Sequence, residues 1–466
     1  MTPVTSRQYP AVLYPVVLSI VLVFPFLFTH AQTTAFTPAT EDVTLLNTLS
    51  LQYEKQHKDE LELLPSKYKK DYQEEYAQVW KNVKEKFDKK EIYTAPAAQQ
   101  YMDALVAEIV KANPVLRDHP FKCYFSRSGV PNASYIGEGI ILFNMGLFYK
   151  LNNESEVAFV LCHEIGHYLL RHIDNSINRY VTAINSEEIQ AQLRQIKNSE
   201  YGKREQVQKL VKGLSFDSRR HSRDHESQAD SMAVELMRPT RFDPAGALSA
   251  LALLDTIDSD SLNTAACLQQ TFNAKNYPFQ KKWLAKEEGL LGGHAHLQSD
   301  QQADSLKTHP DCALRIKLLT PQVNSGHSAA SSKNVVDAAK FESLKKLFRY
   351  EIIEYAYSSE EYSQSLYFTL QLVKDNPADP WLVAQMGRIL NGVYTAQKAH
   401  RLSKVVDLPS PDYPAHYNLL LQFIQNLYLD NIASISYNYL SQYHPQLDDY
   451  PPFKTAYTQS AQIVQP

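Results

Sequence analysis

The sequence lacks an excess of either charge. It carries 47 Lys and Arg against 51 Asp and Glu in 466 residues. No basic surplus is available to hold nucleic acid. It also lacks the bias of a disordered chain: aromatic residues make up 11% of it, with 29 Tyr, a globular composition. Cysteine is scarce, at four residues: Cys123, Cys162, Cys267 and Cys312. None has the C-x-x-C spacing of a structural zinc site. Long apolar runs are missing except one, from Ala11 to Phe28. Arg7 precedes that run and Ala31 follows it, so residues 1–31 read as a secretory signal cut after Ala31, or as an uncleaved anchor. Pro15 and Pro25 weaken a regular spanning helix. No Cys follows the run, which excludes a lipid-modified cysteine at the cut. The expected location is exported, periplasmic or secreted, with membrane contact only through an uncleaved N-terminal segment. An exported chain with an even cysteine count allows disulfides, and Cys267–Cys312 is the pairing expected. Cys162 reads as a small buried residue.

One stretch carries chemistry: Cys162–His172, C-H-E-I-G-H-Y-L-L-R-H. Asn153 and Glu156 form a helix-start pattern before it. Val157, Val160, Leu161, Ile165 and Leu169 then recur at helical spacing. On a helix, His163 and His167 share one face and can reach one metal ion, with Glu164 beside them. Catalytic zinc takes three protein ligands and keeps a position for water. His172, nine residues after His163, falls on the opposite side of the helix and cannot share the ion. A third His six residues after the second is also excluded, because Ile173 stands there. The remaining candidates are Glu187, Glu188, Glu200, Glu205 and Glu226. Glu226 stands out because Asp230 follows one turn on, where it can accept from a ligand imidazole. Ala229, Met232, Ala233 and Leu236 give that stretch a packing face.

The rest of the chain is organised around this helix. Thr33–Thr40 is a polar linker. Glu41 to about Lys90 is charged and helical in pattern, with Leu61, Leu63, Leu64, Tyr68, Tyr72, Tyr76 and Trp80 recurring. Pro96–Ala112 reads as another helix. Phe121–Ser126 and Ile140–Phe143 read as two strands of a hairpin, with a turn at Gly129, Pro131 and Asn132. An exposed strand edge beside a metal site can hold an extended peptide. The glycosylation patterns at Asn132 and Asn153 lie close to the site and read as structural. Thr182 to Arg223 reads as a polar helical excursion, with Arg219 to Arg223 a solvated basic patch. Thr256 to Ser305 shows little periodicity, and His294 and His296 read as loop residues.

These motifs together resemble the HtpX-like, CAAX-prenyl-protease-type zinc metallopeptidases, a gluzincin family. The resemblance runs from about Ala97 to Thr320. It includes Asn132-Ala133, Gly146-Leu147, Asn153 to Val157, Cys162 to His167 with His172, Glu226-Ser-Gln-Ala-Asp230, and Thr308-His309-Pro310 with Arg315. It implies a metallopeptidase holding one Zn2+ per chain on His163, His167 and Glu226, with Glu164 as catalytic base. Asp230 would support a ligand histidine, Arg315 would support by ion pairing, and Asn132 and Ala133 would mark the substrate edge. His309 would lie near the site as a regulatory ligand, an oxyanion donor or a packing residue. Integral-membrane members carry several spanning helices; this chain resembles the soluble, exported branch.

Past Phe341, Pro377, Pro411 and Pro445 recur every 34 residues, the tetratricopeptide period. Ser365, Ala399 and Ala433 precede them by twelve, and Leu372, Val406 and Leu440 by five. Gly387 precedes Pro411 by 24, but Ile353 and Leu421 break that position in the other units. The expected fold is α+β, mostly helical. Residues 1–31 are the signal, 32–95 a linker and helical lead-in, 96–325 the metallopeptidase with a small sheet, 326–340 a linker, and 341–466 a tetratricopeptide-like domain. The expected activity is a zinc endopeptidase acting on protein or peptide substrates, plausible in envelope quality control, with a protein partner on the repeats. The alternative is a zinc-containing, chaperone-like binding protein with little proteolysis.

Overall fold

The computed structural model describes residues 35–199, 202–204, 223–257, 262–285, 312–325, 331–411 and 413–464. The expected signal and the expected loop residues His294 and His296 lie outside them, as does most of the expected basic patch, of which only Arg223 is described. The chain from Phe36 onward forms one compact unit.

Two charged helices lead in, α1 (Val43–Glu62) and α2 (Lys69–Asp88). Their recurring apolar positions do not all turn inward: Leu63 follows the end of α1 and is exposed. Helix α3 (Pro96–Ala112) starts with proline at its first position, where no amide hydrogen is needed. It buries Ala98, Tyr101, Met102, Leu105 and Ile109, a helical stripe against the core.

Three strands follow: β1 (Lys122–Ser126), β2 (Ala133–Gly137) and β3 (Ile140–Asn144), in the order β1-β3-β2. This corrects the expected hairpin. The two strands read from sequence pair in parallel, Lys122 opposite Ile140 and Ser126 opposite Asn144. The hairpin is β2–β3, antiparallel, with a bulge between Tyr135 and Gly137. Strand β2 escaped the pattern search because its three middle residues are all half-buried, so it shows no clean alternation. The central β3 is buried along Ile140–Phe143, hence its continuous apolar run.

Beyond the sheet come α4 (Met145–Phe148), α5 (Glu154–Leu169), α6 (His172–Ile184) and α7 (Glu187–Asn198). A helix α8 spans 223–237. Then follow α9 (Gly246–Thr256), α10 (Thr264–Phe272), which the sequence pattern missed, and α11 (Cys312–Asn324). The longer helices that follow are α12 (Ala338–Ser358), α13 (Tyr362–Val373), α14 (Pro380–Lys398), α15 (Ala415–Gln425), α16 (Leu429–Ser441) and α17 (Pro451–Val464), with single turns at Leu402–Val405 and His444–Leu447. The architecture is mostly helical with a small sheet, consistent with the α+β expectation.

All four cysteines are buried and none is in a disulfide. The expected Cys267–Cys312 bridge is absent for a simple reason: Cys312 packs in the core around the sheet and α5, whereas Cys267 packs in the core of the C-terminal helices.

The 34-residue spacing falls on helix pairs. Pro377 follows α12–α13 and Pro445 follows α15–α16. The middle unit departs from this pattern: α14 is followed only by a single turn, Leu402–Val405, and Ala399 is exposed at the end of α14. Leu372, Val406 and Leu440 are all buried. Gly387 allows close approach, since a Cβ there would sit 2.7 Å from Leu440 Cδ1.

A candidate metal centre

Helix α5 is fixed from its first turn. Asn153 Oδ1 accepts from the Glu156 amide at 3.1 Å, as its capping pattern predicts. Glu156 reaches back one residue further than a standard capping box, accepting from the Asn152 amide at 2.7 Å. The Glu154 carboxylate accepts from the amides of Val335, Val336 and Asp337 at 2.6–2.7 Å and from the Tyr101 hydroxyl at 2.8 Å. Every residue from Glu154 to Gly166 is buried.

At the far end, α5 meets α8. A Cβ on Gly166 would lie 3.2 Å from the Ala229 carbonyl oxygen and 3.3 Å from Met232 Cβ. Two small residues therefore let the helices approach closely. That approach sets Glu226 opposite both histidines. His163 Nε2 and His167 Nε2 are 3.0 Å apart, and Glu226 Oε2 and Oε1 lie 3.5 Å from them respectively. Among the described residues, these three form the group able to hold a metal ion. Tetrahedral zinc with ligand bonds of about 2.0–2.1 Å holds its donors about 3.3 Å apart. The triangle fits it.

The surroundings also fit a cation. Asp230 Oδ1 lies 2.9 Å from His163 Nδ1. Arg315, on α11, grips Asp230 with two contacts, Nε at 2.7 Å and Nη2 at 2.8 Å, and reaches Glu226 Oε2 at 3.4 Å. Burial works to lower the basicity of His163, but Asp230 and Glu226 outweigh it and push its pKa up to about 10. His167 goes the other way, down to about 3, through burial and the charge of His163. The carboxylates thus draw one positive charge onto His163. A bound metal would replace that proton.

Glu164 lines the same cavity of about 340 Å³, and its Oε2 accepts from the Tyr135 amide at 2.7 Å. Burial pushes its carboxyl up to about 7. Asn132 and Ala133 line the cavity too. Ala133 opens the edge strand β2, whereas the Asn132 carbonyl accepts from the Asn144 amide.

Glu187 and Glu188 are exposed at the start of α7, outside the metal-binding group. Glu200, Glu205, Thr308, His309 and Pro310 lie outside the described residues. Sequence reasoning set His172 aside as a ligand but missed its contact. Its Nδ1 lies 2.8 Å from His167 Nδ1, and its Nε2 lies 3.2 Å from Gln228 Oε1. It also stacks on His225, with centroids 4.1 Å apart. Helical spacing could not find this, because Arg171 adopts a left-handed conformation that ends one helix and begins another, turning His172 back. Tyr135 was invisible for another reason: its backbone amide, not its side chain, makes the contact.

Residues 96–322 match the model of peptidase family M48, a family of zinc metallopeptidases. The match supports a metallopeptidase. No curated protein gives a significant match to the chain.

Proposed function

We propose that the protein is a zinc endopeptidase, one Zn2+ per chain, cutting exported or misfolded proteins. The observation that carries the reading is the triangle of His163, His167 and Glu226, with Glu164 in the same cavity. Zinc bound there would polarise a peptide carbonyl and acidify a water. Glu164 does the proton work. A carboxyl raised to about 7 by burial takes a proton near neutral pH and returns it to the leaving amine. The Tyr135 amide fixes one of its oxygens and leaves the other free for this task.

Substrate binds along β2 in this reading. Tyr135 turns its amide away from β3, so Ala133, two residues earlier, presents its backbone groups on the same edge. An extended peptide pairs there by main-chain hydrogen bonds. The exported location rests on the Arg7-to-Ala31 pattern. A role in envelope quality control, with a partner on the C-terminal helices, rests on the family resemblance. The rival reading is a zinc-containing binding protein of chaperone type.

A casein digest with a zinc count separates the two. Glu164→Gln is expected to keep its zinc and lose proteolysis, by about a hundredfold or more. Wild-type protein that binds zinc but leaves casein intact would favour the binding protein.

A further inference from the structure

Beside the metal cavity lies a larger one of about 650 Å³. The two share Tyr135 and Ile173. Helices α1, α2 and α6 and the β2–β3 turn wall it. That turn has a two-residue loop, Glu138-Gly139, with φ of 53° and 70°. Such a turn favours Asn-Gly. A glutamate stands in the first place, in a backbone conformation that non-glycine residues seldom adopt.

The glutamate side chain is not turned to water. It is only 3% exposed. Oε1 lies 2.8 Å from His57 Nδ1, and His57 stacks on Trp80 with centroids 5.4 Å apart. Oε2 is buried with no hydrogen-bond partner among the described residues. A buried carboxylate oxygen left unmatched costs free energy until a donor arrives. Around it the cavity also holds Glu60, Asp174 and Arg171. Arg171 is taken by Asp174 at 2.8 Å. Among the described residues the wall therefore keeps a negative surplus, with no cation committed to Glu138.

Distance along the strand ties this place to the reaction. Glu138 is three residues beyond Tyr135, past the bulge and in the turn, so at most about 11 Å away along the chain. A peptide lying along β2 with its scissile bond at Glu164 passes the cavity a few residues away.

We propose that the cavity closed by Glu138, His57 and Glu60 is a subsite for a basic side chain of the peptide substrate, with Glu138 Oε2 as its charge partner. This rests on the endopeptidase reading. The electrostatics agree. Burial, with Glu60 and Asp174 adding to it, pushes the Glu138 carboxyl up to about 8; burial also lowers the basicity of His57. A cation entering the site replaces the proton. The titratable groups that line the cavity with Glu138 are His57 and Glu60 of α1, Tyr72 and Tyr76 of α2, His119, Tyr135 of β2, Tyr168 of α5, Arg171 just before α6 and Asp174 within it.

The first test needs no proteolysis. Agmatine, a small guanidinium amine, is titrated into the full chain carrying Glu164→Gln, and the fluorescence of Trp80 beside His57 is followed. Saturable binding is expected, tighter above pH 8 than at pH 6.5. Adding Glu138→Asn should weaken it at least about tenfold. Asparagine suits the turn, so this variant folds. Glu60→Gln, on an exposed position, should weaken it about two- to threefold. The second test compares cleavage of peptides with lysine or norleucine at the second to fourth residue from the scissile bond. Wild type should prefer lysine at one of them by at least about tenfold in kcat/KM, and Glu138→Asn should lose the preference. No agmatine binding, or binding untouched by Glu138→Asn, overturns the subsite, as does cleavage without preference. Agmatine binding with no peptide cleaved upholds the subsite and rejects the endopeptidase.

Discussion

In the proposed metal centre Glu226 and His172 would act by different routes, so their removal should leave different traces. Glu226 supplies an oxygen to the triangle, and Glu226→Ala should abolish stable zinc binding. Glu187→Ala and Glu188→Ala, at exposed positions, should leave the zinc count unchanged. His172 supplies no donor to the ion; it holds the far nitrogen of His167. Losing such support lowers metal affinity about 10- to 100-fold. His172→Ala should therefore bind zinc in competition assays with that deficit, while retaining full occupancy at saturating metal. Zinc affinity equal to wild type would remove His172 from the site. At this scale the sequence was legible where chemistry repeats on a helix. His163, Glu164 and His167 follow from spacing, and Glu226 with Asp230 from one turn of separation. It was illegible where a contact depends on a backbone conformation, as at Arg171, or on a backbone amide, as at Tyr135.

The approach of α5 to α8 depends on Gly166 and Ala229. Gly166→Val would place a branched side chain where even a Cβ stands 3.2 Å from the Ala229 carbonyl. Overpacking of this kind costs about 1–3 kcal/mol. The helices must part, and Glu226 moves away from both histidines. A lower melting temperature together with weaker zinc binding is expected; a loss of stability with zinc affinity unchanged would show that the triangle tolerates the shift. The Gly in His-Glu-Ile-Gly-His thus has a packing reason that the motif alone does not state. Elements with strong period were readable, α3 and α5 above all. Strand order was not. Pairing β1 with β3 is a long-range choice, and the short β2 between them has neither alternation nor a β-branched run to announce it.

Across the whole molecule, the sheet and the C-terminal helices share buried charge. Arg127 beside β1 meets Glu351 of α12 at 3.2 Å, both side chains almost fully buried, and Glu351 also accepts from the Ala39 amide and the Tyr93 hydroxyl. Arg127 keeps a second, longer contact with Glu41 at 3.5 Å, so removing Glu351 leaves the buried guanidinium under-paired, at up to about 3–5 kcal/mol. Glu351→Ala should therefore lower stability by that order in a denaturant titration, far from any zinc ligand. A change under about 1 kcal/mol would mean that Glu41 or water takes over the pairing with Arg127.

The Glu154 carboxylate has a consequence for how this protein can be divided. It closes the first turn of the zinc helix with three amides from residues 335–337, beyond the family match that ends at residue 322. Cutting the chain where the match stops would remove three of the four donors that this carboxylate holds and uncover the start of the helix. The stretch of sequence that is passed between proteins as a recognisable module is therefore shorter than the stretch that must be made together for this one to stand.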